Sequence, residues 1–293
     1  MAMAWLRLGV AASLLFGVMA GCESSSQARF ARTDHLSVPH MAMSALDVAT
    51  ANGAISVEQG PGDVVSIEAT IRATTQERLD GTRVVALREP DETLRVRVEW
   101  ADGIRLGSEG CSLSITMPDA GQIDLESKNG RLAVEGVGAD VRLSTSNGRV
   151  HVADIGGAVH ARTSNGRITL ARIPGAVDVA TSNGRLEFVD VAGPIRGHSS
   201  NGGVQVRLAV DNRGPLDITT SNGSVSIEVG EQFDGLLRVE TSNGRLNVAG
   251  LQGAALTELG KNTATLRFGD DASIVSRVHT KNGSITLTQR GSE

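Results

Sequence analysis

The sequence predicts an all-β protein and, within that class, a parallel β-solenoid. The expected form is a single-stranded β-helix of about nine to ten two-strand rungs with an N-terminal β cap. Three observations predict it. Thr-Ser-Asn-Gly-Arg is written at 145–149, 163–167 and 181–185 and again at 241–245 around Asn243, and variants surround Asn129, Asn201, Asn222, Asn262 and Asn282. The steps between these nine Asn residues are 18, 18, 18, 18, 21, 21, 19 and 20 residues, the mark of a repeat architecture. Around each Asn, apolar and polar residues alternate with period two, and no stretch has helical period.

The N-terminus reads as a targeting segment. Arg7 supplies a positive start, and Leu8 to Met19 is an apolar run too short to span a bilayer as a permanent helix. It ends in Val18-Met19-Ala20-Gly21-Cys22, which resembles the lipobox of bacterial lipoproteins, although the usual pattern has Leu or another branched aliphatic at the place of Met19. The resemblance implies a signal peptide over 1–21 and lipid attachment at Cys22, hence an exported, membrane-anchored lipoprotein. Glu23 follows the Cys, so the outer membrane is favoured in a Gram-negative cell. Residues 22–43 are polar and read as a flexible tether.

Residues 44–121 read as the N-terminal β cap. A first copy of the turn stands at Asn52-Gly53. Strands follow over 64–74, 84–87, 94–100 and 112–117, separated by polar loops at 76–83 and 89–93. A stack of repeats needs such a cover on its first open edge.

Residues 122–293 read as the solenoid repeats. Counted from each Asn, positions three and five are apolar (Leu132 and Val134, Val150 and Val152, Ile168 and Leu170), and so are positions twelve and fourteen (Val141 and Leu143, Val159 and Ala161). Asn-Gly between alternating strands is also a hairpin signal. A meander, however, gives no reason for whole columns of Thr or Ser two residues before the Asn. Stacked rungs do, because identical Asn residues then form side-chain ladders. Asn and Gly also tolerate positive φ, which suits a sharp corner.

From Ser112 to Arg149 the chain resembles the bacterial putative-adhesin family, a domain of unknown function built of Thr-Ser-Asn-Gly rungs. The strand Ser112–Met117 with Pro118 after it, then Gln122 to Val134 and Gly136 to Gly148, carry the likeness, which extends over about 44–290. It implies a surface or envelope role and no catalytic residues.

Composition narrows the function. The net charge is −5 and becomes about −6 once Arg7 leaves, so the chain lacks the basic footprint of a nucleic-acid binder. With Cys22 acylated, Cys111 stands alone, and its parity with Leu113 and Ile115 places it inside a strand. There is no Tyr, and downstream of Cys22 only Trp100 and four Phe remain, too few aromatic platforms for a deep sugar-binding groove. His151, His160 and His198 show no convergent metal spacing, and the loops at Asp211-Asn212 and Asp234 offer too few oxygens for calcium, so neither metal nor cofactor is expected. The acids Asp154, Asp178, Glu187, Asp190 and Asp217 are read as sharing no common column, so a polysaccharide-acting β-helix enzyme is the weakest alternative.

One feature points to binding. Arg131, Arg149, Arg167, Arg185 and Arg245 follow the Asn-Gly turn and form a candidate anion-binding stripe. The competing reading pairs them with Glu135, Asp154, Glu187 and Asp190. Two functions stay open: non-catalytic, adhesin-like binding or scaffolding in the envelope, and an accessory or sensory role docking another envelope protein. The partners implied are a membrane through the lipid anchor and either an anionic envelope polymer or another envelope protein.

Overall fold

The computed structural model describes residues 28–251, 254–271 and 273–290. The signal segment and Cys22 lie outside the described residues. The described chain is a parallel β-solenoid of two facing sheets, one of 12 strands and one of 13.

Each rung contributes one strand to each sheet. The strand ending at the corner Asn, such as Asp140–Asn147, lies in the 13-stranded sheet. The strand after the corner Arg, such as Val150–Ala153, lies in the 12-stranded sheet. Parallel pairing sets equivalent residues in register: Val141, Val159, Val177, Ile195 and Leu216 align in one sheet, and Leu132, Val150, Ile168, Leu186 and Val204 in the other. These apolar columns point inward and are almost wholly buried. Alternation makes this possible, since every second side chain faces the space between the sheets. Volume is balanced across that space. Phe188 is the largest fully buried side chain, and Gly197 faces it where other rungs have Ala161, Val179 or Ile218.

The structure differs from the sequence reading in four places. First, Phe30–Pro39 is a strand rather than part of a tether, paired antiparallel with Val64–Ala73 from Phe30↔Ala73 to Pro39↔Val64. Leu36 and Val38 pack on the core, which covers an otherwise open sheet edge.

Second, Ala45–Asn52 and Ile55–Gln59 form the first rung, not part of the cap. They pair in parallel with Gln122–Asn129 and Leu132–Glu135. The cap proper is inserted after this rung. Gly110–Met117 and Leu94–Glu99 continue the two sheets beyond it; Arg83–Arg88 closes one antiparallel, and Val64–Ala73 followed by Phe30–Pro39 closes the other. Third, the polar loop at 76–83 contains a short α-helix, Gln76–Gly81, whose N-cap Thr75 accepts from the Arg78 amide.

Fourth, the rungs do not stack in sequence order. Val275–Asn282 and Ile285–Gln289 lie between the Asn222 rung and the Asn243 rung. The Asn243 rung is therefore the end of the stack, although it precedes its neighbour in the chain. Asn262 is not a rung corner. It sits at the turn of an antiparallel hairpin, Ala254–Leu259 with Thr263–Phe268, that covers Gly235–Asn243. Thr263 follows Asn262 where every rung has Gly, and Gly260 precedes it where every rung has Thr or Ser.

Candidate functional site

The corner is built residue by residue. Thr or Ser two positions before the Asn points inward, is buried, and donates its hydroxyl to the corner Gly carbonyl of the preceding rung. Examples are Thr163 Oγ1 to Gly148 O at 3.2 Å, Ser199 Oγ to Gly184 O at 3.0 Å and Thr241 Oγ1 to Gly283 O at 2.7 Å. The Asn points outward. Its Nδ2 donates to the Oδ1 of the neighbouring rung's Asn at 2.7–3.0 Å, in an unbroken ladder through Asn52, Asn129, Asn147, Asn165, Asn183, Asn201, Asn222, Asn282 and Asn243.

The glycine is needed for a reason the sequence reading did not name. Apart from Gly53, the corner glycines do not have positive φ, and neither do the ladder Asn residues. Instead, a Cβ on Gly148, Gly166, Gly184 or Gly202 would stand 1.8 Å from the carbonyl oxygen of the previous rung's glycine. That carbonyl is the acceptor of the Thr hydroxyl, so Gly and Thr are two halves of one contact.

The Arg comes next, and its backbone is held. Arg149, Arg167 and Arg185 accept from the amides of Leu132, Val150 and Ile168 at 2.9–3.0 Å. Arg131, Arg149, Arg167 and Arg185 are exposed on four consecutive rungs. The next three rungs carry Gly203, Ser224 and Ser284 at this position, and Arg245 stands beyond them, four steps from Arg185. The structure therefore gathers four of the five predicted residues and separates the fifth.

None of the five makes an ion pair within 4.0 Å among the described residues. The expected pairing with Glu135, Asp154, Glu187 and Asp190 does not occur. Asp154 and Asp190 sit at the far end of the strand, at φ 55 and 52, in a column with Arg172 at φ 53. Asp154 holds Arg172 through two hydrogen bonds of 2.5 Å, and Asp190 pairs with Arg290 at 2.8 Å and Arg207 at 3.8 Å. The Arg172 guanidinium holds the Asp154 carboxyl below the usual carboxylate range. Four cations spaced at about one rung, ~4.8 Å, repel one another by about 1 kcal/mol per neighbouring pair in bulk water. Their flanks are polar. Lys128, Ser146, Ser164 and Ser182 are exposed just before the ladder, and Ala133, His151, Thr169 and Glu187 lie two residues beyond the arginines.

The other chemistry-bearing groups are accounted for structurally. Asp178 and Asp217 do share an outer column, as do Asp154 and Asp190, contrary to the sequence reading. An Arg stands between each pair, and Arg196 lies 3.8 Å from Asp217. His160, Asp178, Pro194, Arg196 and Asp217 line a shallow depression of about 210 Å³ at the opposite corner from the ladder. His151 lies on one sheet, and His160 and His198 on the other. No three His, Cys, Asp or Glu converge among the described residues. Cys111 is buried, and burial pushes its thiol up to about 12. Asn212 is buried and braces its loop, donating to Val191 O and Gly193 O.

The buried pair in the cap was missed from sequence. Glu109 is fully buried and takes two hydrogen bonds from Arg78, at 2.6 and 2.8 Å, with further donors from Thr74 and Leu106. The Arg78 guanidinium draws its carboxyl down to about 2. The two residues are 31 positions apart in an irregular region, and no repeat marks them.

No curated protein matches the chain. Solved structures that resemble it include a putative adhesin from Bacteroides fragilis (12% identity, TM-score 0.45, 88% of this chain and 97% of that one). A putative adhesin from Parabacteroides merdae (10%, TM-score 0.37, 87% and 95%) and a putative cell adhesion protein from Clostridium sporogenes (11%, TM-score 0.25, 88% and 100%) also resemble it. At such scores the likeness says nothing of binding. The repeated corner and the stacked rungs do have a family: residues 43–288 match the Toastrack DUF4097 family, and the chain belongs to it.

Proposed function

We propose that this protein is a non-catalytic, lipid-anchored binding or scaffolding component of the cell envelope, adhesin-like in role. Acyl groups on Cys22 would hold it at the membrane, in the outer membrane of a Gram-negative cell. The observation that carries the binding role is the exposed column of Arg131, Arg149, Arg167 and Arg185, without an ion pair among the described residues, on four rungs in register. A folded protein of net charge −5 has acids to spare, yet its partnered arginines lie elsewhere. A fixed line of bare guanidinium groups suits carboxylate or phosphate on a partner.

Two measurements test the reading. Labelling with a palmitate analogue should mark the wild-type chain and leave Cys22→Ser unmarked. Capture of envelope extract on the immobilised protein should weaken when Arg149, Arg167 and Arg185 are replaced together by Gln. Capture unchanged by the triple variant removes the arginine column from the account.

A further inference from the structure

The column is arranged in single file, and that arrangement selects a class of ligand. The inference below rests on the binding reading above and narrows it. The strand register sets the four arginines in one column along the stack axis, one per rung, over about 14 Å. An isolated anion meets one or two of them. A chain molecule running along the axis meets all four, provided that it carries negative charge at about the same interval.

The flanks say what kind of chain. On one side run the exposed Asn ladder and the hydroxyls of Ser146, Ser164 and Ser182. Each ladder amide uses one of its two N–H groups toward its neighbour, which leaves the other for an outside acceptor. The strip is thus a regular array of amides, hydroxyls and guanidinium groups. It bears no large exposed apolar side chain, since those lie in the cap, the loops and the C-terminal hairpin, as with Leu87, Ile104, Leu256 and Leu259. A lipid surface would call for apolar side chains to enter the acyl boundary, and this edge offers none. A hydroxyl-rich polymer with regular carboxylates fits it.

We infer that the column is a docking register for a linear acidic polysaccharide of the uronate class. The extended glycan lies parallel to the solenoid axis, and its carboxylates meet Arg131, Arg149, Arg167 and Arg185 in turn, while Asn and Ser side chains take its hydroxyls. One sugar residue of an extended chain is close to one rung in length, so the two repeats stay in step over four contacts. Without aromatic platforms, each contact is weak and strength comes from number. Gly203, Ser224 and Ser284 end the register, and Arg245 stands outside it.

The test uses the full-length protein in detergent and galacturonate oligomers of one to eight residues. Affinity should rise by about tenfold or more from monomer to tetramer and then level off. Arg149→Gln with Arg167→Gln should abolish the rise, and Arg245→Gln should leave it intact, with melting transitions confirming that each variant is folded. Equal affinity for monomer and tetramer, or a rise that survives in the double variant, overturns the inference. Arginine-dependent binding to phosphatidylglycerol vesicles without binding to the oligomers also overturns it, but leaves the broader binding reading standing. Loss of neither oligomer, vesicle nor envelope-extract binding in the variants sinks both.

Discussion

Gly166 and Gly138 are both solvent-side glycines in the regular stack, yet they answer to different constraints. A methyl on Gly166 would meet the Gly148 carbonyl at 1.8 Å, while one on Gly138 meets nothing within 4 Å. Backbone cannot retreat from a clash as a flexible side chain can. Gly166→Ala should therefore cost about 3 kcal/mol or more, and Gly138→Ala should stay within about 0.5 kcal/mol of wild type. Urea denaturation of the two variants checks the contrast. Glu109 makes the second residue-scale case. Its folded pKa, about 2, lies below the ordinary value of 4.5, so its contribution is present above pH 4.5 and fades as pH falls toward 2. Glu109→Gln should destabilise the cap at neutral pH by about 3 kcal/mol, because Arg78 keeps its charge without the partner. The gap between variant and wild type should narrow as the pH of the unfolding series is lowered from 5 to 2. At this scale, sequence showed that the glycine recurs but misassigned why. A turn residue and a close-approach residue look alike until the neighbouring rung is in place.

Elements bring the ladder into view. Asn165 donates to Asn147 and accepts from Asn183, so Asn165→Ala breaks two hydrogen bonds. The expected loss is about 1–3 kcal/mol. Asn262, in the hairpin turn, makes one side-chain hydrogen bond among the described residues, to Ser242 O at 3.2 Å, and is half-buried. Its replacement by Ala should cost under about 1 kcal/mol. Thermal melts of the two single variants test whether the ladder, rather than Asn as such, is the stabilising unit. The ladder, the inward apolar columns and the paired strands were legible because each depends on period and parity within one rung. Asn52 and Asn262 were misplaced because position in the stack depends on which rung lies next door. For Asn262 the missing Gly was the available signal. The strand at Phe30–Pro39 was hidden by its charged residues, since Arg32 and Asp34 pair with each other and only Leu36 and Val38 reach the core.

The whole molecule has an order that no local feature announces. The chain builds the Asn243 rung and its covering hairpin, and then its last segment enters between that rung and the Asn222 rung. All three rungs carry Thr-x-Asn-Gly at the corner, so the corner by itself does not set their order. Removing residues 272–293 would withdraw an interior rung rather than trim an end. The truncated chain should lose cooperativity as well as stability, seen as a lower urea m-value and a broadened transition. Loss of a terminal rung alone would leave the m-value lower only in proportion to the surface removed.

The same stacking places the arginines. Four rungs in register hold four cations in line, and the rungs that follow interrupt them. The central claim is that this line acts as one site for a polyanion. Its most direct measurement is the salt dependence of binding to a long uronate polymer, for wild type and for variants in which Arg149, Arg167 and Arg185 are replaced by Gln one after another. The logarithmic slope should fall in magnitude by about one for each arginine removed, and Arg245→Gln should leave it unchanged. A slope that stays the same through all three replacements would contradict the account.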